Sequence, residues 1–461
     1  MLTASNTIAL NNPKVYIKTY GCQMNELDSE IMMGAVKSLG YIAADNYKNA
    51  DIIILNTCSV RERAVEKIYG HIGELKRQKN NNPNLIIVIA GCLAQEIKGK
   101  ILKDFPYIDL IIGTLNKKEF PALIKKVINE REKIVSIKEE QEEVYEFDNI
   151  ERNSNVKAYV SIMEGCNNFC SYCIVPYVRG KEISRQKENI LKEIENLAEK
   201  GYKEITLLGQ NVNSYKDGNC DFADLLSYVH EVAGIERIRF MTSHPKDISD
   251  KLIEKAASLR KVCEHFHFPL QSGSNKILEN MNRKYSFEKY FETVNYLRKL
   301  IPDISITTDF IVGFPGEEEK DFEETLNAVK IIKYDGAFIF RYSQRSGTLA
   351  TNLPDSVPYK EKIRRLEYLL SVQEEILKEK NSLLINQNVE ILVDGRSKKD
   401  ITQLTGRTRT NKIVVLQEKH KSSDTLKLEH RNQERGEKNL INKIIDVKII
   451  RTGAYMLWGE I

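Results

Sequence analysis

The chain has 461 residues, of which 41% are hydrophobic and 29% are charged, with a formal net charge of +4. This composition predicts a globular protein of two or three domains and excludes a largely disordered chain. The apolar run at residues 85–94 is too short to span a bilayer, and the first 14 residues lack the basic start and apolar core of a signal peptide. We therefore expect a cytoplasmic protein without a membrane segment.

The cysteine count and the charge distribution limit the classes of function that fit this chain. Eight cysteines are too few for a disulfide scaffold in a chain of this length, so clustered thiols point to metal or redox chemistry. From Gln387 onward the chain carries 15 Lys and Arg against 10 Asp and Glu. Such a local basic excess can attract the phosphates of RNA, although an ordinary solvated surface can have the same composition.

Residues 1–137 alternate short aliphatic runs with amphipathic helical patterns. The predicted strands are KVYIKTY, DIIILN, NLIIVIA and IDLIIGT. Because strands and helices alternate with loops of a few residues, this part of the chain is predicted to be an α/β domain with a doubly wound parallel sheet. The acidic stretch 138–155 has little apolar period and is predicted to be a linker.

Three cysteines, Cys22, Cys58 and Cys92, each follow a predicted strand, in YGC, NTC and AGC. All strands of an open parallel sheet end at one edge, and ligands bind at that edge. The three thiols are therefore expected to meet and to form one cluster site. The alternative is that each cysteine is only a small buried hydrophobic residue.

Residues 156–350 repeat the alternation of strands and helices. The predicted strands are KAYVSIM, EITLLG, RIRFMTS, FHFPL, DISITTDFIVGF and AFIFRYS. Six βα units are too few to close an eight-stranded barrel, so a partial (βα)6 barrel with an open side is predicted. A charged helical connector follows at 351–386, and 387–461 has the short β-rich runs of a small antiparallel barrel.

Directly after the first barrel strand, Cys166, Cys170 and Cys173 have the spacing C-x3-C-x2-C without a fourth cysteine. Thiolates favour iron-sulfur clusters and zinc. Three cysteines on a 4Fe-4S cluster leave one iron open, and an open position distinguishes a reactive metal site from a structural one. Zinc, completed by Cys263 or His244, is the alternative.

This loop resembles that of the radical S-adenosylmethionine (SAM) enzymes, because an aromatic residue, Tyr172, precedes its last cysteine. Motifs over nearly the whole chain resemble the methylthiotransferases among them, most closely the MiaB type, which makes 2-methylthio-N6-isopentenyladenosine in tRNA. These motifs are KTYGCQMNELDSE, LNTCSVRERAVEK, AGCLAQ, VPYVRGKEISR, LLGQNVNSY, TSHPKD, FPLQSGSNKIL and TTDFIVGFPGE.

The resemblance implies two 4Fe-4S clusters and SAM as cofactors. Cys166, Cys170 and Cys173 would hold the cluster that binds SAM and cleaves it to a 5′-deoxyadenosyl radical. The auxiliary cluster on Cys22, Cys58 and Cys92 would carry the sulfur, which accepts a methyl group from a first SAM. A second SAM would supply the radical that activates carbon 2 of the adenine, at position 37 beside the anticodon.

Further residues are predicted to contact SAM, although a structural hydrogen-bonding role is an alternative for each of them. They lie at or near the carboxyl ends of barrel strands, where function is concentrated in such folds. The candidates are Tyr172, Gly209, Gln210, Asn211, Ser243, His244, Gln271, Ser272, Asp309, Gly313 and Gly316.

The C-terminal barrel resembles the TRAM domain, an RNA-binding module. Arg407, Arg409 and Lys412 are the predicted phosphate contacts, and the charged segment 418–438 is longer than is usual in that family. The expected partners are a tRNA bearing isopentenyladenosine, a flavodoxin- or ferredoxin-like electron donor and a sulfur or cluster donor, and the protein is expected to be a monomer.

Two other functions stay open at this point. One is methylthiolation of threonylcarbamoyladenosine in tRNA or of a ribosomal protein aspartate. The other is a non-catalytic iron-sulfur protein that binds RNA or senses redox state.

Overall fold

The computed structural model describes residues 12–59, 62–140, 146–147, 149–397, 399–417 and 440–461. The charged segment 418–438 lies outside these residues. The chain divides into two compact units, the first made of Met1–Asn153 and Ile174–Ile183 and the second of Ser154–Cys173 and Ser184–Ile461. None of the described helices is long and apolar enough to cross a membrane. The finer domain boundaries given above stay predictions.

The first unit contains six strands and six helices of the described chain. Its elements are β1 (Lys14–Thr19), α1 (Gln23–Lys37), β2 (Ile42–Ala43), β3 (Ile52–Thr57), α2 (Glu62–Asn81), β4 (Ile86–Gly91), α3 (Cys92–Ile97), α4 (Ile101–Asp104), β5 (Leu110–Ile112), α5 (Phe120–Glu130), β6 (Ile134–Ser136) and, from the separate stretch, α6 (Val175–Arg179). The strands form one parallel sheet in the order β2-β1-β3-β4-β5-β6.

Helices cover both faces of this sheet. Every residue of β3 and of β4 is buried, as expected for central strands of a parallel sheet. Successive side chains of a strand point to opposite faces, and accordingly Ile54 and Val88 belong to one apolar cluster while Ile53 and Ile89 belong to another. The prediction of a doubly wound parallel α/β domain is confirmed. The three-residue strand β6 was not predicted.

The second unit begins with β7 (Lys157–Ser161). The other elements are β8 (Met163–Glu164), β9 (Ile183–Ser184, at the division between the units), α7 (Lys187–Glu199), β10 (Glu204–Leu208), β11 (Lys216–Asp217), β12 (Cys220–Asp221), α8 (Phe222–Glu231), β13 (Arg237–Phe240), α9 (Asp250–Ser258), β14 (His265–His267), α10 (Asn275–Asn280), α11 (Phe287–Leu300), β15 (Ser305–Val312), α12 (Glu319–Ile332), β16 (Gly336–Arg341), α13 (Tyr359–Ser382), β17 (Asn388–Arg396), β18 (Leu404–Thr408), β19 (Ile413–Gln417), β20 (Ile444–Thr452) and β21 (Leu457–Glu460).

Six parallel strands of this unit form the predicted partial barrel. They pair as β13-β10-β7 and β14-β15-β16, and a parallel bridge between Ile238 and Val262 connects the two sets. A large apolar cluster packs the helices onto these strands. The remaining strands close into a five-stranded barrel in the order β17-β18-β19-β21-β20. The predicted barrel with an open side and the small C-terminal barrel are both confirmed.

Candidate active site

The strand-edge cysteines, Cys22, Cys58 and Cys92, lie at the carboxyl edge of the first sheet. Cys22 follows β1 by three residues, Cys58 directly follows β3, and Cys92 begins α3 directly after β4. These strands are neighbours, and Thr57 pairs with Gly91 at their ends. The chain passes from β1 outward to β2 and then back to β3, so the thiols flank the point where strand order reverses, the usual ligand site of such sheets.

Two buried asparagines connect the first two of these strand ends. Asn25 Oδ1 lies 3.4 Å from the backbone N and 3.4 Å from the Sγ of Cys22. Asn25 Nδ2 donates to the Thr57 carbonyl at 3.2 Å, and Asn56 Nδ2 donates to the Asn25 carbonyl at 2.7 Å. The backbones that precede Cys22 and Cys58 are therefore fixed relative to each other.

Glycines allow the backbones to approach at this edge. Gly21 has φ +140°, and a Cβ there would lie 2.4 Å from Asn25 Oδ1 and 3.0 Å from the Cβ of Cys58. Gly91 has φ +92°, and a Cβ there would lie 2.4 Å from the Thr57 carbonyl oxygen. Any side chain at either position would push the strand ends apart, which explains why glycine precedes Cys22 and Cys92.

A buried charged set lies beside these thiols within the first unit. Asp28 accepts hydrogen bonds from Lys117 Nζ at 3.0 Å and from Arg179 Nη2 at 2.7 Å. Burial alone would raise the pKa of Asp28, but the two cations hold that pKa below its ordinary value. Burial also raises the pKa of the Cys92 thiol, while the Arg179 guanidinium next to it acts in the opposite direction. Arg179 comes from the VPYVRG motif, which the sequence analysis quoted without giving this residue a role.

The strand-edge cysteines fit an iron-sulfur cluster chemically. Thiolates are the ligands of such clusters, and cationic neighbours favour the thiolate form. Ser59, directly after Cys58, has a fully buried hydroxyl without a hydrogen-bond partner in the described part of the chain, which a cluster sulfur could accept from. Among the described residues no three Cys, His, Asp or Glu side chains are gathered closely enough to hold a metal ion, so the thiols share an edge without forming a closed cage. Their ligand role stays a prediction.

The loop cysteines, Cys166, Cys170 and Cys173, follow β7 and β8 in the second unit. The backbone N of Cys173 donates to the Cys170 carbonyl at 2.9 Å, which turns the chain between these two thiols. Phe169 holds φ +46°, a left-handed conformation that non-glycine residues seldom adopt. The structure brings this loop to the carboxyl end of the barrel strands, as predicted.

Arg283 is a residue of this site that the sequence analysis missed. Its Nη1 lies 3.3 Å from Cys170 Sγ and 3.4 Å from the Tyr172 hydroxyl. Burial raises the pKa of Tyr172 well above 10, so its phenol stays neutral. The only sequence signal was the stretch NMNRKYS after FPLQSGSNKIL, which has no regular period.

His244 is one of the predicted residues that reaches the loop cysteines. Its Nε2 lies 3.8 Å from Cys170 Sγ, and its backbone N donates to Asn211 Oδ1 at 3.0 Å. Burial, together with the charges of Arg283 and Lys246, lowers the pKa of His244 to about 2. The imidazole is therefore neutral at physiological pH.

The loop after β10 also meets the cysteine loop. Gln210 Oε1 accepts a hydrogen bond from the Gly165 backbone N. A Cβ at Gly209 would lie 2.5 Å from the Cγ of Met163, so only glycine fits at this crossing. These contacts position the loop before Cys166.

Four more residues predicted to contact SAM differ in the hydrogen-bond partners of their polar atoms. The Ser243 hydroxyl is buried and has no partner in the described part of the chain. Gln271 holds φ +77° and bonds through its backbone to β15. Ser272 Oγ lies 3.2 Å from Thr325 Oγ1, and Asp309 Oδ2 lies 3.4 Å from His267 Nε2. Ser243 has the side chain best suited to a further ligand.

The GFPGE turn after β15 is packed on the connector helix α13. Gly313 holds φ +68°, and a Cβ there would lie 2.4 Å from the Cγ of Lys362. The Gly316 backbone N donates to Ser356 Oγ at 3.1 Å. This packing accounts for Gly313, and the φ of +82° accounts for Gly316. The contact of both glycines with SAM stays a prediction.

The three basic residues predicted to contact RNA have partners within the second unit. Arg409 bonds to both carboxylate oxygens of Glu264, at 2.6 and 2.8 Å. Lys412 Nζ donates to Asn381 Oδ1 at 2.8 Å, and Arg407 Nη1 donates to Asn411 Oδ1 at 2.9 Å. The bonds of Arg409 and Lys412 hold the C-terminal barrel against neighbouring elements, while the bond of Arg407 lies within the barrel. The role of these residues in RNA binding stays a prediction.

Two family models match the chain. Residues 160–329 match the radical SAM superfamily, and residues 14–113 match the model described as uncharacterized protein family UPF0004. The first match covers the loop cysteines and most of the partial barrel. The second covers the strand-edge cysteines.

Curated relatives extend over nearly the full chain. The tRNA-2-methylthio-N(6)-dimethylallyladenosine synthase of Clostridium novyi (strain NT) is 48% identical, with 99% of this chain and 98% of the relative covered. The enzyme of that name from Thermoanaerobacter sp. (strain X514) is also 48% identical, covering 97% and 92%. Among solved structures, the radical SAM methyltransferase TsrM from Kitasatospora setae matches with a TM-score of 0.52 and 14% identity over 71% of this chain and 73% of that one, which is a similarity of fold.

Proposed function

The chain belongs to the family of the tRNA-2-methylthio-N(6)-dimethylallyladenosine synthases, and from this premise we propose that it attaches a methylthio group to carbon 2 of N6-isopentenyladenosine in tRNA, at position 37 beside the anticodon. Dimethylallyl and isopentenyl denote the same N6 substituent here. The observation that carries the proposal is the near full-length identity to relatives of that name. Because tRNA is the substrate, the cytoplasm is the proposed place of action.

The enzyme uses SAM and two 4Fe-4S clusters. We assign the auxiliary cluster to the strand-edge cysteines and the SAM-binding cluster to the loop cysteines. When bound, these groups supply the sulfur, the methyl group and the radical that the reaction requires. Each cluster would have three protein ligands and one open iron, which fits reactive rather than structural use.

The residues around the loop cysteines position the cofactor in this proposal. Cys170 lies beside His244, whose neutral ring adds no charge next to the Cys170 sulfur. The buried Ser243 hydroxyl is available to donate to or accept from SAM. Tyr172 keeps its phenolic proton and bonds to Arg283, which supports an adenine-packing role for its ring.

The strand-edge cysteines have a different task in this proposal. They hold the sulfur donor at the edge of a rigid sheet, because β1, β3 and β4 cannot shift without breaking the ladder between them. Arg179 places a guanidinium next to the Cys92 thiol, while Lys117 pairs with Asp28. This guanidinium acts toward the thiolate form of Cys92, against the effect of burial, which raises the pKa of that thiol.

The remaining partners are also part of the proposal. A flavodoxin- or ferredoxin-like protein supplies electrons, and a sulfur or cluster donor restores the auxiliary cluster. The C-terminal barrel binds tRNA in this proposal, and the enzyme acts as a monomer. Arg407, Arg409 and Lys412 are the proposed phosphate contacts, although each also bonds to a residue of the second unit.

The test is a comparison of substrates with one preparation of enzyme. Anaerobically reconstituted protein, SAM and a reductant are incubated with tRNA bearing isopentenyladenosine, tRNA bearing threonylcarbamoyladenosine, or a ribosomal protein substrate, and the products are identified by mass spectrometry. We expect a methylthio group only on isopentenyladenosine. Modification of the aspartate alone would overturn the tRNA assignment.

The non-catalytic alternative makes a different prediction in the same assay. It requires RNA binding without SAM cleavage, so formation of 5′-deoxyadenosine excludes it. The Cys166→Ala variant is the matched control, because it removes one loop cysteine and leaves the strand-edge cysteines intact.

A further inference from the structure

Arg283 lies in the turn at residues 281–284, which follows α10. Its two neighbours, Asn282 and Lys284, hold φ +56° and +57°. Left-handed conformations at non-glycine residues are uncommon and persist where the surrounding structure demands them. The backbone is therefore held on both sides of Arg283 in a conformation that directs this side chain inward, where it is 4% exposed.

The guanidinium is fixed by four hydrogen bonds. Nη2 donates to the Pro269 carbonyl at 2.9 Å and Nε donates to the Tyr285 hydroxyl at 2.8 Å. These two bonds orient the planar group so that Nη1 faces Cys170 Sγ at 3.3 Å and the Tyr172 hydroxyl at 3.4 Å. Because four of its five N–H groups are engaged, Arg283 is poorly suited to clamp the carboxylate of a small molecule.

The positive charge of Arg283 is not paired with a carboxylate among the described residues. A buried cation is expected to be paired, yet no carboxylate is among its hydrogen-bond partners in the described part of the chain. Among its partners, Cys170 is the one whose sulfur would carry negative charge as a ligand of the proposed cluster. The site thus provides a positive charge for the sulfur of Cys170.

The same turn holds the cysteine loop through its backbone. The Ser171 backbone N donates to the Met281 carbonyl at 3.0 Å, and Ser171 Oγ donates to the Asn280 carbonyl at 2.7 Å. Asn282 Nδ2 donates to the Phe169 carbonyl at 2.9 Å. The residues on both sides of Cys170 are therefore bound to the turn that carries Arg283, so the contact with Sγ is built into the fold.

We propose that Arg283 is a positioning residue that donates a hydrogen bond to the Cys170 sulfur and raises the reduction potential of the cluster held by the loop cysteines. This rests on the proposed function, in which Cys170 is a ligand of that cluster. Hydrogen bonds to ligand sulfurs and nearby charge set such potentials. One electron from an external donor makes the cluster more negative, and a buried cation at the ligand sulfur stabilises that state.

The test measures the potential directly. Full-length protein is reconstituted anaerobically and titrated with dithionite under EPR, comparing the wild type with Arg283→Met, Arg283→Lys and Arg298→Met. Arg298 is the matched control, because it is a partly buried arginine of the same unit whose Nη2 bonds to the Ile332 carbonyl. The signal that Cys166→Ala removes is assigned to the cluster of the loop cysteines.

At a fixed potential we expect Arg283→Met to lower the ratio of reduced to oxidised cluster at least tenfold, which is about 59 mV for a one-electron couple. Arg283→Lys keeps the charge but cannot reproduce the planar fork, so its shift should be smaller and in the same direction. Arg298→Met should titrate like the wild type.

Wild-type potentials in both Arg283 variants would overturn the proposal and leave the proposed function standing. Should Arg283→Met fail to retain iron, the lysine variant decides, since an unchanged potential there overturns the proposal and a lowered one supports it. If no signal depended on Cys166, the assignment of the cluster itself would fail instead.

Discussion

The strand-edge cysteines and the loop cysteines are placed by different means. The first come from three strands that are separate in sequence, and parallel pairing brings their ends together. The second lie within eight residues of one loop, which a neighbouring turn holds in place. The strand-edge site therefore depends on the whole sheet, whereas the loop site depends on a few local contacts.

Each set also has a buried arginine, but the charges are balanced differently. Arg179 shares Asp28 with Lys117. Arg283 has only neutral oxygens and the Cys170 sulfur as partners in the described residues. The charge pairing of the strand-edge site should therefore persist without a cluster, whereas Arg283 would find its counter-charge in the proposed cluster that Cys170 helps to hold.

The largest expected effect separates the two sets by iron content. Changing Cys22, Cys58 and Cys92 together to alanine should reduce iron from about eight to about four per chain, the count for two 4Fe-4S clusters and then one. Iron and acid-labile sulfide are measured after anaerobic reconstitution. About four irons in both proteins would show that the strand-edge cysteines hold no cluster.

SAM cleavage should distinguish the two cysteine sets. Cys166→Ala should abolish 5′-deoxyadenosine formation, because the loop cysteines bind the cluster that reacts with SAM. Cys22→Ala should abolish the methylthio product while some cleavage persists. Both products are quantified by mass spectrometry, and methylthio product from Cys22→Ala at the wild-type level would remove the sulfur-donor role of the strand edge.

Stability should respond to the Asp28 pairing even without iron. Arg179→Met leaves a buried carboxylate with one fewer cation, and breaking a buried pair by removing one partner costs about 3–5 kcal/mol. Denaturant unfolding of the apoprotein measures this loss. Lys37→Met is the control, because its pair with Glu151 at 2.7 Å is exposed and should contribute about 0–1 kcal/mol. Equal effects of both variants would contradict the buried pairing.

A smaller effect is expected in how the free energy of unfolding depends on pH through Asp28. Since the folded state holds the pKa of Asp28 below its ordinary value, the ionised group stabilises the fold at pH values above the unfolded pKa. That contribution is lost as the pH falls through the folded pKa. The difference in unfolding free energy between wild type and Asp28→Asn should therefore shrink in acid, and a difference independent of pH would argue against this role.

The sequence predicted the fold and the positions of both cysteine sets because these follow from periodicity and from strand ends. Cys58 and Cys92 follow buried aliphatic runs that only a central parallel strand accommodates. The strand β6 was missed because three residues carry too little pattern to distinguish a strand from a loop.

Arg179 and Arg283 could not be assigned from the sequence for another reason. Each acts through partners that are distant in the chain, such as Asp28 for the first and Cys170 for the second. A single arginine in a polar stretch has the same appearance whether it faces water or a buried sulfur. Conversely, Arg409 looked like a surface cation but bonds to Glu264, because tertiary packing decides which charges are used internally.

The first compact unit is built from two separate stretches of the chain, which limits how it can be expressed on its own. The segment Ile174–Ile183 belongs to the first unit, although it begins directly after the last loop cysteine. A gene fragment that ends at residue 153 would therefore encode the sheet and Asp28 without Arg179. The first unit therefore cannot be transplanted as one contiguous segment, because Asp28 and its partner Arg179 come from separate stretches of the chain.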